Sequence, residues 1–201
     1  MLCSTCAVRA RSHWLLMIVN SAEENPMKRL LPLAFSVTVA ATCFAVSTFA
    51  QGGARGASKL TLHGTTVSVE YGRPALKGRS VNDLLSKLGT GDFWRLGANK
   101  STTFKTTGSL TFGDVKIPAG EYSLWAKKEA NDKWSLVFNK QHGQWGTDHD
   151  PSQDLASVPL NLQNVSSPAE QVTITLRKAG AGGEILIQWG TMELSANFTA
   201  G

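Results

Sequence analysis

The chain has 201 residues and a mass of 21.6 kDa, which suits one globular domain and an additional segment. Hydrophobic residues make up 42% and charged residues 17%, a composition that excludes an intrinsically disordered protein. The formal net charge is +5, but the basic residues are scattered. Nucleic-acid binding needs a basic stripe that neutralises several phosphates at once, so the composition argues against a nucleic-acid partner.

A basic and then apolar segment predicts a secretory signal peptide over residues 27–50. Met27-Lys28-Arg29 is positively charged, residues 30–49 are nearly all apolar or small, and small residues precede Gln51. On this interpretation translation starts at Met27 and residues 1–26 are a mis-assigned upstream extension. The protein is then exported to the periplasm or secreted, with no transmembrane segment after cleavage. The alternative is an uncleaved anchor, because about 20 apolar residues can span a bilayer.

Cysteine usage agrees with this division of the chain. Cys3, Cys6 and Cys43 all precede residue 51, so the mature domain has no cysteine. Disulfides, thiolate catalysis and cysteine-based zinc sites are therefore excluded there. Lipid attachment at Cys43 is a further alternative, which the residues before it do not favour.

The mature chain shows the alternation of apolar and polar residues that is typical of β-strands. After a Gly/Ala-rich flexible lead-in at residues 51–58, alternation predicts a single β domain over residues 59–201. Val67, Val69 and Tyr71 share one face of such a strand. The pair Gly113-Asp114 separates two alternating runs, which predicts a two-residue hairpin turn.

One segment has helical spacing instead. Residues 80–88 begin with Ser80 and Asp83, a capping pattern, and Gly89 follows the last apolar residue. About nine or ten strands, one short helix and no βαβ alternation predict an all-β fold. We expect an antiparallel β-sandwich or a jelly-roll-like barrel.

Two segments break the alternation, and such breaks are where functional residues concentrate. Residues 91–99 place Trp94, Arg95 and Asn99 between glycines. An aromatic ring, a guanidinium and an amide suit stacking and hydrogen bonding with a sugar or a carboxylate. The competing interpretation is structural: Trp94 lies in the core, Arg95 pairs with a carboxylate and Asn99 stabilises a turn.

The second segment, residues 139–150, is a long polar connection that carries Gln144 and Trp145. It also contains four residues of types that bind zinc or a similar ion, namely His142, Asp148, His149 and Asp150. Adjacent residues seldom converge on one ion, and an Asp before Pro151 is typical of a solvated turn. No cofactor is predicted, and a divalent metal held by these four residues is an alternative.

Five pieces of the chain resemble a bacterial family of exported domains known as domain of unknown function 2911. They are YGRPALKGR at 71–79, WRLGAN at 94–99, PAGEYSL at 118–124, WSLVFNK at 134–140 and QWG at 144–146. The resemblance implies an exported β domain and brings no established activity. Residues recurrent in that family coincide with polar and aromatic residues of this chain, namely Arg73, Arg95, Asn99 and Trp145. The sequence after QWG departs from the family pattern, which argues against a shared metal role.

No complete catalytic motif is present, and the G-x-S-x-G elbow of many hydrolases is absent. The leading hypothesis is a non-enzymatic module that binds a small polar ligand or a cell-envelope component. The expected ligand-binding residues are Arg73, Arg79, Trp94, Arg95, Asn99, Gln144 and Trp145. The alternatives are a metal-assisted hydrolase using the loop from His142 to Asp150, and a purely structural envelope protein.

Overall fold

The computed structural model describes residues 54–201, so the predicted signal peptide and the upstream extension lie outside the described residues. The strands are Arg55–Leu62 (β1), Thr65–Gly72 (β2), Phe93–Trp94 (β3), Thr102–Thr106 (β4), Leu110–Phe112 (β5), Val115–Ile117 (β6), Gly120–Lys128 (β7), Trp134–Asn139 (β8), Asp154–Ala179 (β9) and Gly182–Ala200 (β10). One α-helix, Val81–Leu85 (α1), and one 3₁₀ turn, Pro151–Gln153, complete the fold. None of the helical segments within residues 54–201 has the length and apolar character needed to cross a membrane.

The strands form one antiparallel sheet in the order β1-β2-β4-β7-β8-β9-β10-β5-β6, and β3 pairs with β7. Strands that are distant in this order nevertheless share side-chain contacts. Phe112 of β5 lies 5.4 Å from Phe138 of β8, measured between ring centroids. The sheet therefore folds over on itself and encloses its core. The all-β antiparallel fold with one short helix is confirmed, but the barrel alternative is wrong, since β1 and β6 remain sheet edges.

The core consists of the apolar faces that alternation predicts. Val67, Val69 and Tyr71 of β2 are buried, as are Leu110 and Phe112 of β5. Strand β8 is an exception, because all six of its residues are buried. Its second face is covered in part by the segment after it, which the side chain of Asn139 contacts. Strand β8 is therefore buried on both faces, and the connection that follows it contributes residues to the site described below.

The predicted hairpin between β5 and β6 is confirmed. Phe112 pairs with Val115, which leaves Gly113 and Asp114 as the two turn residues. Gly113 has a φ of +57°, a left-handed conformation that glycine adopts without a steric penalty.

Two element boundaries differ from the prediction. The helix covers Val81–Leu85, whereas helical spacing predicted it to continue to residue 88. After Leu85 the chain forms a tight turn, in which the backbone N–H of Leu88 bonds the carbonyl of Leu85. Residues 55–58, assigned to the flexible lead-in, form the first half of β1. They are ordered by pairing along the whole length of β2, from Arg55 opposite Gly72 to Leu62 opposite Thr65.

Candidate functional site

A cavity of about 590 Å³ opens beside α1, and we call it the aromatic pocket. Segments distant in sequence build it: the β2–α1 loop, α1, β3 and the loop after it, β7, the connection after β8, and β10. The lining residues are Pro74, Arg79, Leu84, Leu85, Leu88, Phe93, Trp94, Arg95, Gly97, Trp125, Gly146, Thr147, His149 and Trp189. The volume lies within the range of roughly 300–1,000 Å³ that is usual for small-molecule sites.

Two tryptophans of the pocket lining, Trp94 and Trp189, also belong to the core. Trp94 stacks on Trp189 with ring centroids 5.6 Å apart and an angle of 13° between the rings. Trp134 meets Trp94 edge-on at 6.4 Å. Offset stacks and edge contacts of this kind favour one arrangement of the rings, so packing in the core orients this part of the lining. Trp94 thus satisfies both interpretations of the sequence, because it is buried in the core and lines the pocket.

His149 is held between two aromatic rings on another side of the pocket. Its ring centroid lies 4.1 Å from that of Phe93 and 4.7 Å from that of Trp125. The Nε2 atom lies 2.8 Å from Oδ1 of Asp154, and only 10% of the His149 side chain is exposed. A carboxylate accepts this hydrogen bond, so Nε2 of His149 is the donor.

A fully buried amide fixes the carboxylate that orients His149. The Nδ2 group of Asn139 donates to Oδ1 of Asp154 at 2.8 Å and to the carbonyl of Asp150 at 2.7 Å. Its Oδ1 accepts from the backbone N–H of Gln141 at 2.9 Å. Asn139 therefore joins both ends of the connection between β8 and β9, and the position of His149 follows from these bonds.

Two arginines supply the positive charge of the pocket. Arg79 donates from Nε to the carbonyl of Leu76 at 2.8 Å and from a terminal nitrogen to the carbonyl of Ala75 at 3.2 Å. Among residues 54–201 no carboxylate lies within 4.0 Å of either Arg79 or Arg95. The structural interpretation in which Arg95 pairs with a carboxylate is therefore wrong.

The side chain of Arg95 has room because residue 146 is a glycine. A Cβ atom at Gly146 would lie 2.7 Å from the carbonyl oxygen of Asn99 and 3.1 Å from Cδ of Arg95. Any larger residue would displace the loop or the arginine. Gly146 also donates its N–H to the same Asn99 carbonyl at 2.7 Å, which joins the two segments that the sequence analysis singled out.

Of the seven expected ligand-binding residues, the structure brings Arg79, Trp94 and Arg95 together on the pocket lining. Arg73 lies elsewhere and bonds β9 through the carbonyl of Val172 at 3.4 Å. Gln144 has a supporting role, since its amide group bonds the hydroxyls of Ser101 and Ser123, each at 3.2 Å.

The other two expected residues also lie off the lining. Asn99 is a turn residue with a φ of +64°, and its carbonyl accepts from Gly146. Trp145 is 52% exposed and pairs with Lys100 in an isolated β-bridge, next to the pocket but outside its lining.

The four expected metal ligands have separate partners. Nδ1 of His142 lies 3.5 Å from Oε1 of Glu121, whereas His149 bonds Asp154. Asp148 accepts from the hydroxyl of Thr147 at 3.2 Å. Within residues 54–201, no three His, Cys, Asp or Glu side chains are grouped so that they could hold a metal ion. Metal binding by these residues therefore stays a prediction.

Asp150, the fourth of them, begins the 3₁₀ turn. Its Oδ1 accepts from the hydroxyl of Ser152 at 2.7 Å and from the Ser152 backbone N–H at 3.0 Å. These two hydrogen bonds, the hydroxyl first, hold the pKa of Asp150 below its usual value. The carboxylate of Asp150 thus caps the 3₁₀ turn at the end of this loop.

Comparison with known proteins places the chain in a family. No curated protein and no solved structure matches it significantly. One family model, described as protein of unknown function (DUF2911), matches residues 54–198, which include the aromatic pocket and all strands except the last two residues of β10. This match confirms the resemblance noted from the five sequence pieces. The chain therefore belongs to the DUF2911 family.

Proposed function

We propose that the protein is a binding module that holds a small molecule in the aromatic pocket. The observation that carries the proposal is the pocket itself, about 590 Å³ in volume and walled by four aromatic side chains. Contacts within the protein hold the walls in place, because Trp94 and Trp189 stack in the core and His149 is bonded to Asp154. A preformed apolar cleft with a few fixed polar groups is the usual form of a small-molecule site.

The polar groups of the lining support binding more directly than catalysis. The side chain of His149 bonds Asp154, and no hydroxyl within residues 54–201 bonds its ring. Nucleophilic catalysis needs a nucleophile and a base within hydrogen-bond reach of each other. The lining offers instead two guanidiniums and one threonine hydroxyl, groups that orient a ligand.

Filling the mouth of the pocket tests this proposal. Thr147 is exposed and lines the pocket, so tryptophan at this position is expected to obstruct it without disturbing the core. A thermal-shift screen of sugars, amino acids, nucleosides and carboxylates would first identify a stabilising compound. A compound at 100 times its Kd adds about 2.7 kcal/mol, a shift of several degrees. Thr147→Trp is expected to weaken binding of that compound at least about tenfold.

The matched control is Thr175→Trp, because Thr175 is exposed on β9 and does not line the pocket. Both variants are expected to keep the melting temperature of the free protein within about 2 °C, as surface substitutions usually do. Unchanged binding by Thr147→Trp would place the site elsewhere. If no compound stabilised the wild-type protein, a structural role in the envelope would replace the binding module.

We further propose that this domain functions outside the cytoplasm. The support is the basic and apolar segment at residues 27–50 and the absence of cysteine after it. N-terminal sequencing of the protein recovered from an expressing bacterium is expected to give Gln51 as the first residue. A protein that kept residues 27–50 and sedimented with membranes would instead be anchored by them.

A further inference from the structure

We infer that the ligand of the aromatic pocket is an organic carboxylate with a flat or extended apolar body. This inference rests on the proposed function and names the ligand class for the same site. Three features of the lining lead to it: an unpaired guanidinium, the absence of carboxylates, and a shortage of groups that could bond a polyol.

The charged side chains on the lining are both positive. Among residues 54–201 the lining includes Arg79 and Arg95 but no aspartate or glutamate. Asp154 lies next to His149 and off the lining, and its Oδ1 accepts from His149 and Asn139. A cation in a partly dehydrated pocket is stabilised by an opposite charge, so the pocket favours an anionic ligand.

The two arginines of the lining differ in how far their guanidiniums are engaged by the protein. Arg79 already donates to two carbonyls of its own loop. Arg95 is half-buried, and within residues 54–201 its guanidinium has neither a hydrogen-bond acceptor nor a salt-bridge partner. One free planar guanidinium matches one carboxylate through two parallel hydrogen bonds. Nε1 of Trp189, another residue of the lining, is also buried without a hydrogen-bond partner among the described residues.

The rest of the lining suits an apolar body and disfavours a sugar. Aromatic and leucine side chains account for seven of the fourteen residues of the lining. The Thr147 hydroxyl and the His149 ring are the uncharged polar side-chain groups on the lining besides the tryptophan N–H groups, and Nε1 of Trp125 already donates to Ser123 at 3.0 Å. A sugar would bring several hydroxyls into this space, and each one left without a partner would cost binding free energy.

Matched acids and amides test the inference on the full chain. Calorimetric titrations would use indole-3-acetate, 2-naphthoate and decanoate, each beside its primary amide, which has the same shape and no charge. We expect at least one carboxylate to bind ten or more times as tightly as its amide. Arg95→Gln is expected to weaken binding of that carboxylate about 10- to 100-fold, the usual effect of losing a charge-assisted pair, and to leave the amide unchanged.

Arg177→Gln is the matched control, because Arg177 is exposed on β9, pairs with Glu184 and lies off the lining. It is expected to leave both affinities at the wild-type values. Equal binding of acid and amide, no effect of Arg95→Gln, or no binding by any of the six probes would overturn the inference. The proposed function would survive each of these results if another compound of the screen bound and Thr147→Trp abolished that binding.

Discussion

Replacing Gly72 with alanine is expected to lower the free energy of unfolding by about 3 kcal/mol or more. An added Cβ would lie 2.1 Å from the carbonyl oxygen of Ala98 and 2.6 Å from its backbone nitrogen. Both atoms belong to the main chain, so no side-chain rotation can relieve the overlap. Either the end of β2 or the loop after β3 must move, and that loop carries Arg95 and Gly97 of the pocket lining.

Urea denaturation of the wild-type and Gly72→Ala proteins measures this effect. Gly89→Ala is the control, because a Cβ there would make only ordinary contacts, the nearest being Asp92 at 3.5 Å. The control is expected to change stability by no more than about 0.5 kcal/mol. A Gly72→Ala protein with wild-type stability would show that the two backbones do not approach as closely as the structure has them.

Replacing Asn139 with leucine is expected to destabilise the protein by about 3 kcal/mol. Leucine preserves the volume but makes none of the three hydrogen bonds of the buried amide. The carbonyl of Asp150, the carboxylate of Asp154 and the N–H of Gln141 would each lose a partner. For a domain of this size the loss corresponds to a fall in Tm of about 6 to 12 °C.

The same substitution is expected to loosen the connection between β8 and β9. Hydrogen exchange measured by mass spectrometry should quicken in residues 140–153 more than in β2 or β7. Asn161→Leu makes the same chemical change at an exposed position of β9 and is expected to have little effect on either measurement. A uniform increase of exchange across the domain would instead mean that Asn139 stabilises the whole fold and not this connection in particular.

Neither Gly72 nor Asn139 lines the pocket, but each supports a loop that does. Gly72 permits the loop after β3 to approach β2, and Asn139 fixes the segment that presents Thr147 and His149. Binding of a carboxylate probe should therefore weaken in both variants, in proportion to the disorder of these loops.

Local sequence patterns were sufficient for the fold class and for several strands. Alternation with a period of two is a property of neighbouring residues, so it predicted β2 and the β5–β6 hairpin correctly. It did not mark the polar first half of β9. Residues 161–164 form a strand there because residues 192–195 of β10 pair with them. This pairing is between segments distant in sequence, so the residues around 161–164 give no local signal of it.

Sequence also pointed to the two loops that meet at the pocket, because glycines, aromatic residues and charges interrupt the alternation there. It did not identify Trp125 and Trp189 as pocket residues, since a tryptophan in a strand has the same pattern whether it faces packed side chains or a cavity. Whether these two tryptophans line a cavity depends on the space left between the segments packed around them, which is a property of the assembled sheet.

The partners of the charged residues were decided by the tertiary structure alone. His149 stands between two aspartates in the sequence, yet its ring bonds Asp154, because Asn139 of the buried strand β8 holds that carboxylate in place. Arg95 has no carboxylate within 4.0 Å in the part of the chain that the structure describes, although the chain has many acidic residues. Composition and the period-two alternation can be read from short stretches of sequence, and they were enough to determine the class of fold. A site needs distances between residues far apart in the chain, and only the folding of the sheet over its own core sets those distances.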